Sequence, residues 1–220
     1  MLKSLQSRLS TLFIAFVLLV LTSVGATFWG VKTQQKDALV INLAGRQRML
    51  VQLMTRLAIE HQDDATKETL AQAETTFEQT LSALEKGGTT NYMPDNFVTL
   101  PPTQDAETIA ALETTREGWG QFRAFIDSIQ SMPQGDVGLP EATQKLEAQS
   151  ALLAQQADKV VQLYETSATT KLNILRNIQI IFLLLALILL GAGAVVTRQS
   201  LLRPLTELGV AATRLGENDL

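Results

Sequence analysis

Apolar residues fill two uninterrupted blocks of this chain, with a patterned stretch between them. Between Arg8 and Lys32 lie 23 residues without a charge, rich in Leu, Val, Phe and Ile. In a helix rising ~1.5 Å per residue they are long enough to cross a hydrocarbon core of about 30 Å. A second uncharged run of 21 residues, Asn177 to Thr197, contains Ile180-Ile181-Phe182-Leu183-Leu184-Leu185. Both read as transmembrane helices. A secretory signal peptide is the competing reading of the first block, but its apolar core would span about 7–15 residues and end in a small-x-small cleavage site. Ser23-Val24-Gly25 is a poor candidate for one. Two spans place the termini on one side of the membrane and residues 32–177, which number 146, on the other.

Within that loop the apolar period is helical. From Lys32 to about Gln62 there is no proline, so the first span is expected to continue as one long helix. It carries two apolar stripes. One is Leu43, Gln47, Leu50, Met54, Leu57; the other is Ile41, Ala44, Arg48, Val51, Thr55, Ala58. Two such stripes predict two contacts, its own bundle on one side and a partner protomer on the other. Asp63-Asp64 caps a second helix with the stripe Leu70, Ala73, Phe77, Leu81, Leu84, ended by Lys86-Gly87-Gly88, a basic residue and glycines where a helix C-terminus favours them. Residues 87–104 hold Pro94 and Pro101-Pro102 and show no period, which predicts a long loop over one end of the bundle. Ile109, Leu112, Trp119, Phe122, Ile126 and Ile129 mark a third helix, closed by Met132-Pro133-Gln134-Gly135. Pro140 opens a fourth, with Leu146, Leu153, Ala157, Val160 and Tyr164 on one face, running on into the second span. The predicted fold is all-α: a membrane-anchored antiparallel four-helix bundle with two transmembrane helices, assembled as a homodimer.

Charge sharpens the picture. The loop has 13 Lys and Arg against 19 Asp and Glu, while the terminal flanks have five basic and three acidic residues. An acidic loop makes nucleic acid a poor partner. Against that background every charge between Asp37 and Glu60 is basic, namely Arg46, Arg48 and Arg56. A locally positive spot on an acidic domain favours small anions over polyanions. Basic residues near the spans number five on each side, so the positive-inside rule leaves orientation open. The chain has no cysteine, which decides nothing about redox compartment.

Arg48 is the residue with the sharpest chemistry. If the stripe that bears it packs against its own copy across a two-fold axis, two guanidiniums meet. An arginine does not shed its proton, and an uncompensated buried charge costs on the order of 3–5 kcal/mol, so an anion between them relieves the site. The plainer alternative is a snorkelling arginine with its head in water. Gly45, one turn earlier, costs about 1 kcal/mol relative to alanine in a helix; it serves either ligand access and close backbone approach, or tight packing. Arg46 lies ~200° round the helix from Arg48 and reads as a surface ion pair before a ligand. Asn42 is placed to hydrogen-bond the anion or its neighbour, against simple exposure. His61 is the single histidine, which supplies neither a metal site nor an acid/base pair. No nucleophile motif, phosphate loop or metal-ligand cluster is present, and no cofactor is expected.

The run Ile41-Asn42-Leu43-Ala44-Gly45-Arg46-Gln47-Arg48-Met49-Leu50 closely resembles the signature box of the type IV pilus methyl-accepting chemoreceptor N-terminal domain, a module shared with nitrate/nitrite sensor kinases. In the nitrate sensors the box reads Ala-Gly-Ser-Leu-Arg-Met, and its arginine, one from each protomer, clamps nitrate at the dimer axis beside the glycine backbone. The resemblance carries that arginine onto Arg48 and the glycine onto Gly45. Arg46 and Gln47 depart from the kinases' Ser-Leu and approach the broader family, whose ligands vary. Beyond the second span, Leu201-Leu202-Arg203-Pro204-Leu205-Thr206-Glu207-Leu208 and Ala211 to Leu220 look like the first helix and connector of a HAMP relay, which is cytoplasmic in the receptors that carry it.

These resemblances imply the following expectations. Residues 1–8 are a cytoplasmic tail, 9–31 and 178–197 transmembrane helices, 32–177 a periplasmic sensor domain and 198–220 the start of a truncated HAMP domain. The chain is expected to be the sensory fragment of an inner-membrane two-component histidine kinase that binds nitrate, nitrite or a similar small anion, with an output module and a response regulator or chemotaxis partner beyond residue 220. The alternatives are a methyl-accepting chemoreceptor of the same sensor family with another ligand and, from a different class, a ligand-free membrane adaptor.

Overall fold

The computed structural model describes residues 5–60, 63–93, 96–133, 135–203 and 206. In chain order the elements are α1 (Leu5–Ile59), α2 (Asp64–Lys86), β1 (Gly88–Met93), β2 (Asn96–Leu100), α3 (Ala106–Ser131) and α4 (Leu139–Thr197), followed by a π-helical turn at Arg198–Leu202. The chain divides into two compact units. Residues 34–170 form one; the N-terminal part of α1 and the C-terminal part of α4 belong to the other.

Helix ends are set by local chemistry. Asp63 is the N-cap of α2 and accepts from the Thr66 backbone N–H at 2.7 Å. Gly87, at φ 74°, ends that helix in the left-handed region that glycine enters without a Cβ penalty. Its place admits no other residue easily, because a Cβ there would stand 2.8 Å from the Pro102 nitrogen. Asp105 caps α3 in the same manner, accepting from both the backbone and the hydroxyl of Thr108, and these bonds hold its carboxyl below the usual carboxylate range.

The unit of residues 34–170 has one hydrophobic core to which all four helices and β2 contribute. Phe77, Phe122, Leu43, Met54, Leu112, Ile126, Leu146 and Leu153 are fully buried, each worth about 1.5–3 kcal/mol of transfer from water. Phe77 and Trp119 stack at 4.5 Å between ring centres. The α2 stripe expected from the sequence is buried throughout. In α3 the inward face begins at Thr108, with Ile109 36% exposed, because the Asp105 cap turns Thr108 toward the core.

A polar network joins α2 to α3. Arg116 donates to Glu85 at 2.7 and 2.9 Å and to Glu78 at 2.7 Å, and the Trp119 indole N–H donates to Glu78 at 2.6 Å. Burial alone would raise the Glu78 carboxyl, but the hydrogen bonds from Arg116 and Trp119 hold it below its usual range. Glu74 is pushed the other way, by burial, despite the nearby Arg123.

The segment expected as an irregular loop contains a β-hairpin instead. Gly88 pairs with Leu100, Thr89 with Thr99, Thr90 with Val98 and Asn91 with Phe97, antiparallel. Buried Thr90 and Leu100 turn inward, and the Thr90 hydroxyl meets that of Thr80 on α2 at 3.0 Å. The strands carry no regular apolar alternation of their own, Phe97 being 66% exposed, and contacts with α2 hold the hairpin in place.

The other unit contains the two apolar segments, each long and apolar enough to cross a membrane. Phe13, Leu18, Phe28 and Trp29 on α1 and Leu183, Leu187 and Ile188 on α4 are exposed. The hydroxyls of Thr11, Thr22 and Thr27 bond back to carbonyls one turn earlier, which satisfies them without water. Gln179 reaches Thr27 at 3.1 Å, and Gly30 lets α4 come close, since a Cβ there would meet the Leu175 side chain at 2.3 Å. Most of the stretch read as the start of a HAMP relay, and His61, lie outside the described residues.

Candidate functional site

Along α1 the burial pattern separates three sides. Leu43, Gln47, Leu50, Met54 and Leu57 are buried, as expected, and so are Ala44, Val51 and Ala58. This last group belongs to the stripe that was expected to face a partner, so that stripe is largely spent inside the protomer. The reason is packing on two sides: α2 approaches near Gln47, whose Nε2 donates to the Phe77 carbonyl at 3.2 Å, and α4 approaches near Thr55, which donates to Ser150 at 2.7 Å. The side left open is rotated from the expected one. Ala38, Asn42, Met49, Gln52, Arg56 and Ile59 are exposed with Gly45 half-buried among them. Their steps alternate between four and three residues throughout, the spacing of a helix seam.

Arg48 stands at the border of that open side, ~60° from Gly45 around the helix. Its Nη1 donates to Asp158 Oδ1 of α4 at 2.5 Å, and the two side chains are 52% and 40% exposed. Seven residues separate Arg48 from Thr55 on α1, and eight separate Ser150 from Asp158 on α4, in the opposite chain sense, so the two ties clip antiparallel helices together. Arg48 therefore neither floats in solvent nor lies in the core. It holds an exposed acid on the neighbouring helix.

The other box residues have distinct places. Gly45 has nothing within 4 Å of where a Cβ would stand, so no packing inside the protomer requires a glycine there. Asn42 is exposed. Arg46 departs from the expected surface ion pair: its Nη1 donates to the carbonyls of Asn91 and Tyr92 at 3.0 and 3.1 Å. It clasps the hairpin, on a side of α1 well away from Arg48. The ~200° between neighbouring-but-one helix positions makes this division of labour unavoidable.

Asp158, Asn91 and Tyr92 are the contacting residues that sequence reasoning missed. Asp158 follows Ala157 of the α4 stripe and looks like any solvated acid, and carbonyl acceptors leave no trace in residue identity. Among the described residues no group of three or more His, Cys, Asp or Glu is arranged to hold a metal ion. The chemistry this surface offers is charge recognition by a guanidinium next to an open helix backbone.

In a comparison with curated proteins, no match is found. The family model described as the N-terminal region of type IV pili methyl-accepting chemotaxis transducers matches residues 29–158, more than half of the chain and including the box, Arg48 and Asp158. The chain thus belongs to the PilJ family of chemoreceptor-type sensory transducer N-terminal regions.

Proposed function

We propose that this chain is the sensory part of a homodimeric receptor in the bacterial inner membrane. Residues 32–177 form an antiparallel four-helix bundle in the periplasm and bind nitrate, nitrite or a similar small oxyanion between the Arg48 side chains of two protomers. The signal leaves through a HAMP relay beginning near residue 198. The observation that carries this reading is the place of Arg48, half-exposed at the edge of the open α1 face centred on Gly45. Two copies meeting along that face bring two guanidiniums to one axis, beside backbone that Gly45 leaves bare.

A guanidinium suits a planar oxyanion because its donors form a rigid fork and its charge persists at every physiological pH. Delocalised single charge on the ligand and two fixed positive charges on the protein make the complex favourable without any chemical step. Binding draws the two α1 helices together and shifts them against α4. Since α1 runs unbroken from Leu5 to Ile59 and α4 from Leu139 to Thr197, a small displacement at residue 48 is carried along stiff elements.

Two outputs fit this architecture, a histidine kinase acting on a response regulator and a methyl-accepting chemoreceptor. The family match favours the second, since its members are described as methyl-accepting chemotaxis transducers.

The absence of cysteine from the chain makes a clean test available. Met49→Cys, in the centre of the open face, is expected to form a disulfide between two copies in membranes, at a rate that nitrate changes and chloride does not. Gln72→Cys, on the outer side of α2, serves as the control. Equal cross-linking at both positions, or none at Met49, refutes dimerisation through this face.

A further inference from the structure

We infer that Asp158 sets the anion affinity of the Arg48 site by competing with the ligand for the same guanidinium. The inference rests on the proposed anion site and names its internal competitor. A carboxylate and nitrate offer a guanidinium the same planar pair of oxygens, and Asp158 Oδ1 already occupies an Nη1 of Arg48 at 2.5 Å. Both side chains are well exposed, at 52% and 40%. An exposed pair of this kind is weak, so a ligand at moderate concentration displaces it, whereas a buried pair would not yield. The acid is thus a stand-in that keeps Arg48 compensated while the site is empty.

The exchange has a structural consequence. Breaking the Arg48–Asp158 tie leaves Thr55–Ser150 as the neighbouring polar link between α1 and α4. Ligand binding at the dimer face and release of α4 at residue 158 become one event, and α4 continues from there to Thr197. Asp158 would then tune both how much anion is needed and how firmly the empty receptor is held.

The test is calorimetric titration of the detergent-solubilised full chain with nitrate, comparing the wild type with Asp158→Asn, Asp158→Glu and Arg48→Ala/Asp158→Asn. Removing the competitor from both protomers is expected to tighten binding roughly 2- to 30-fold. Asp158→Glu, which keeps the charge, stays close to wild type, and the double variant binds nothing. Glu165→Gln removes the same charge from an exposed position of the same helix, about 10 Å along it, and is expected to change affinity less than twofold because screening acts over about that distance. Nitrate binding that Asp158→Asn leaves unchanged or weakens overturns the competition while leaving the anion site standing. A gain matched by Glu165→Gln also overturns it, as a general charge effect. No nitrate binding by either wild type or Asp158→Asn overturns the anion site, and the competition with it.

Discussion

Replacing Arg46 by alanine separates the two arginines of the box by function. The guanidinium of Arg46 is half-buried and donates from one nitrogen to two hairpin carbonyls, at 3.0 and 3.1 Å. A hydrogen bond from a charged donor contributes about 1.5–3 kcal/mol. Here a single nitrogen serves both acceptors, and water reaches the carbonyls once it is gone, so the net loss is about 2 kcal/mol rather than twice the upper value. The remaining ties of the hairpin, Thr90 to Thr80 and the buried Leu100, keep it folded, so the loss is local. Hydrogen exchange is the assay, because opening free energies convert directly into protection. The paired amides of residues 88–91 and 97–100 are expected to exchange about 30-fold faster in Arg46→Ala, the factor that corresponds to ~2 kcal/mol, while the core of α3 is unchanged. Nitrate affinity is expected to stay within twofold of wild type. Unchanged hairpin exchange refutes the clasp, and a loss of nitrate binding as complete as that of Arg48→Ala refutes its separation from the ligand site.

Two further predictions concern the bundle itself. Gln47 is 2% exposed, and among the described residues its Oε1 finds no donor. Gln47→Leu is therefore expected to be neutral or stabilising by about 1 kcal/mol in chemical denaturation, since a buried unsatisfied polar atom costs about 1–3 kcal/mol; a clear loss of stability contradicts this. Acid titration should divide Glu78 from Glu74. Glu78 is held below its ordinary value of 4.5, so its contribution is present above pH 4.5 and is lost as pH falls through its lowered folded value. Glu74 is raised above 4.5, so its charged form costs stability as pH rises through its folded value. Glu78→Gln is expected to flatten the acid-side fall in melting temperature and Glu74→Gln to steepen it; the reverse order contradicts the hydrogen-bond assignment.

The helices were legible from their apolar stripes and from chemical signals at several edges, Asp63-Asp64 and Lys86-Gly87-Gly88 for α2, Met132-Pro133-Gln134-Gly135 for the end of α3 and Pro140 for the start of α4, whereas the Asp105 cap of α3 emerges only in the fold. The hairpin was not, because Pro94 and Pro101-Pro102 outweighed the strand-forming residues Thr89, Thr90, Phe97, Val98 and Thr99. Its pairing is fixed by tertiary contacts with α2 and Arg46 instead of by its own pattern. The α1 stripes were found, but their assignment depended on which neighbours cover them. Ala44, Val51 and Ala58 are small and apolar, and periodicity alone does not say whether such a row meets α4 or a second protomer. Arg48 stood out in sequence as a charge within an apolar helical stripe, and Gly45 as a glycine inside a helix. Asp158 did not, since pairing over 110 residues of separation is a property of the fold.

The claim that Arg48 clamps an anion between two protomers is tested most directly by titrating the detergent-solubilised, dimeric chain with nitrate, with chloride and Arg48→Ala as controls. The account predicts saturable binding near one nitrate per two chains, absent in Arg48→Ala and weakened in Arg48→Lys, which keeps the charge but loses the planar fork. A dimer that takes up nitrate no better than chloride, or one that binds it equally well without Arg48, contradicts the account.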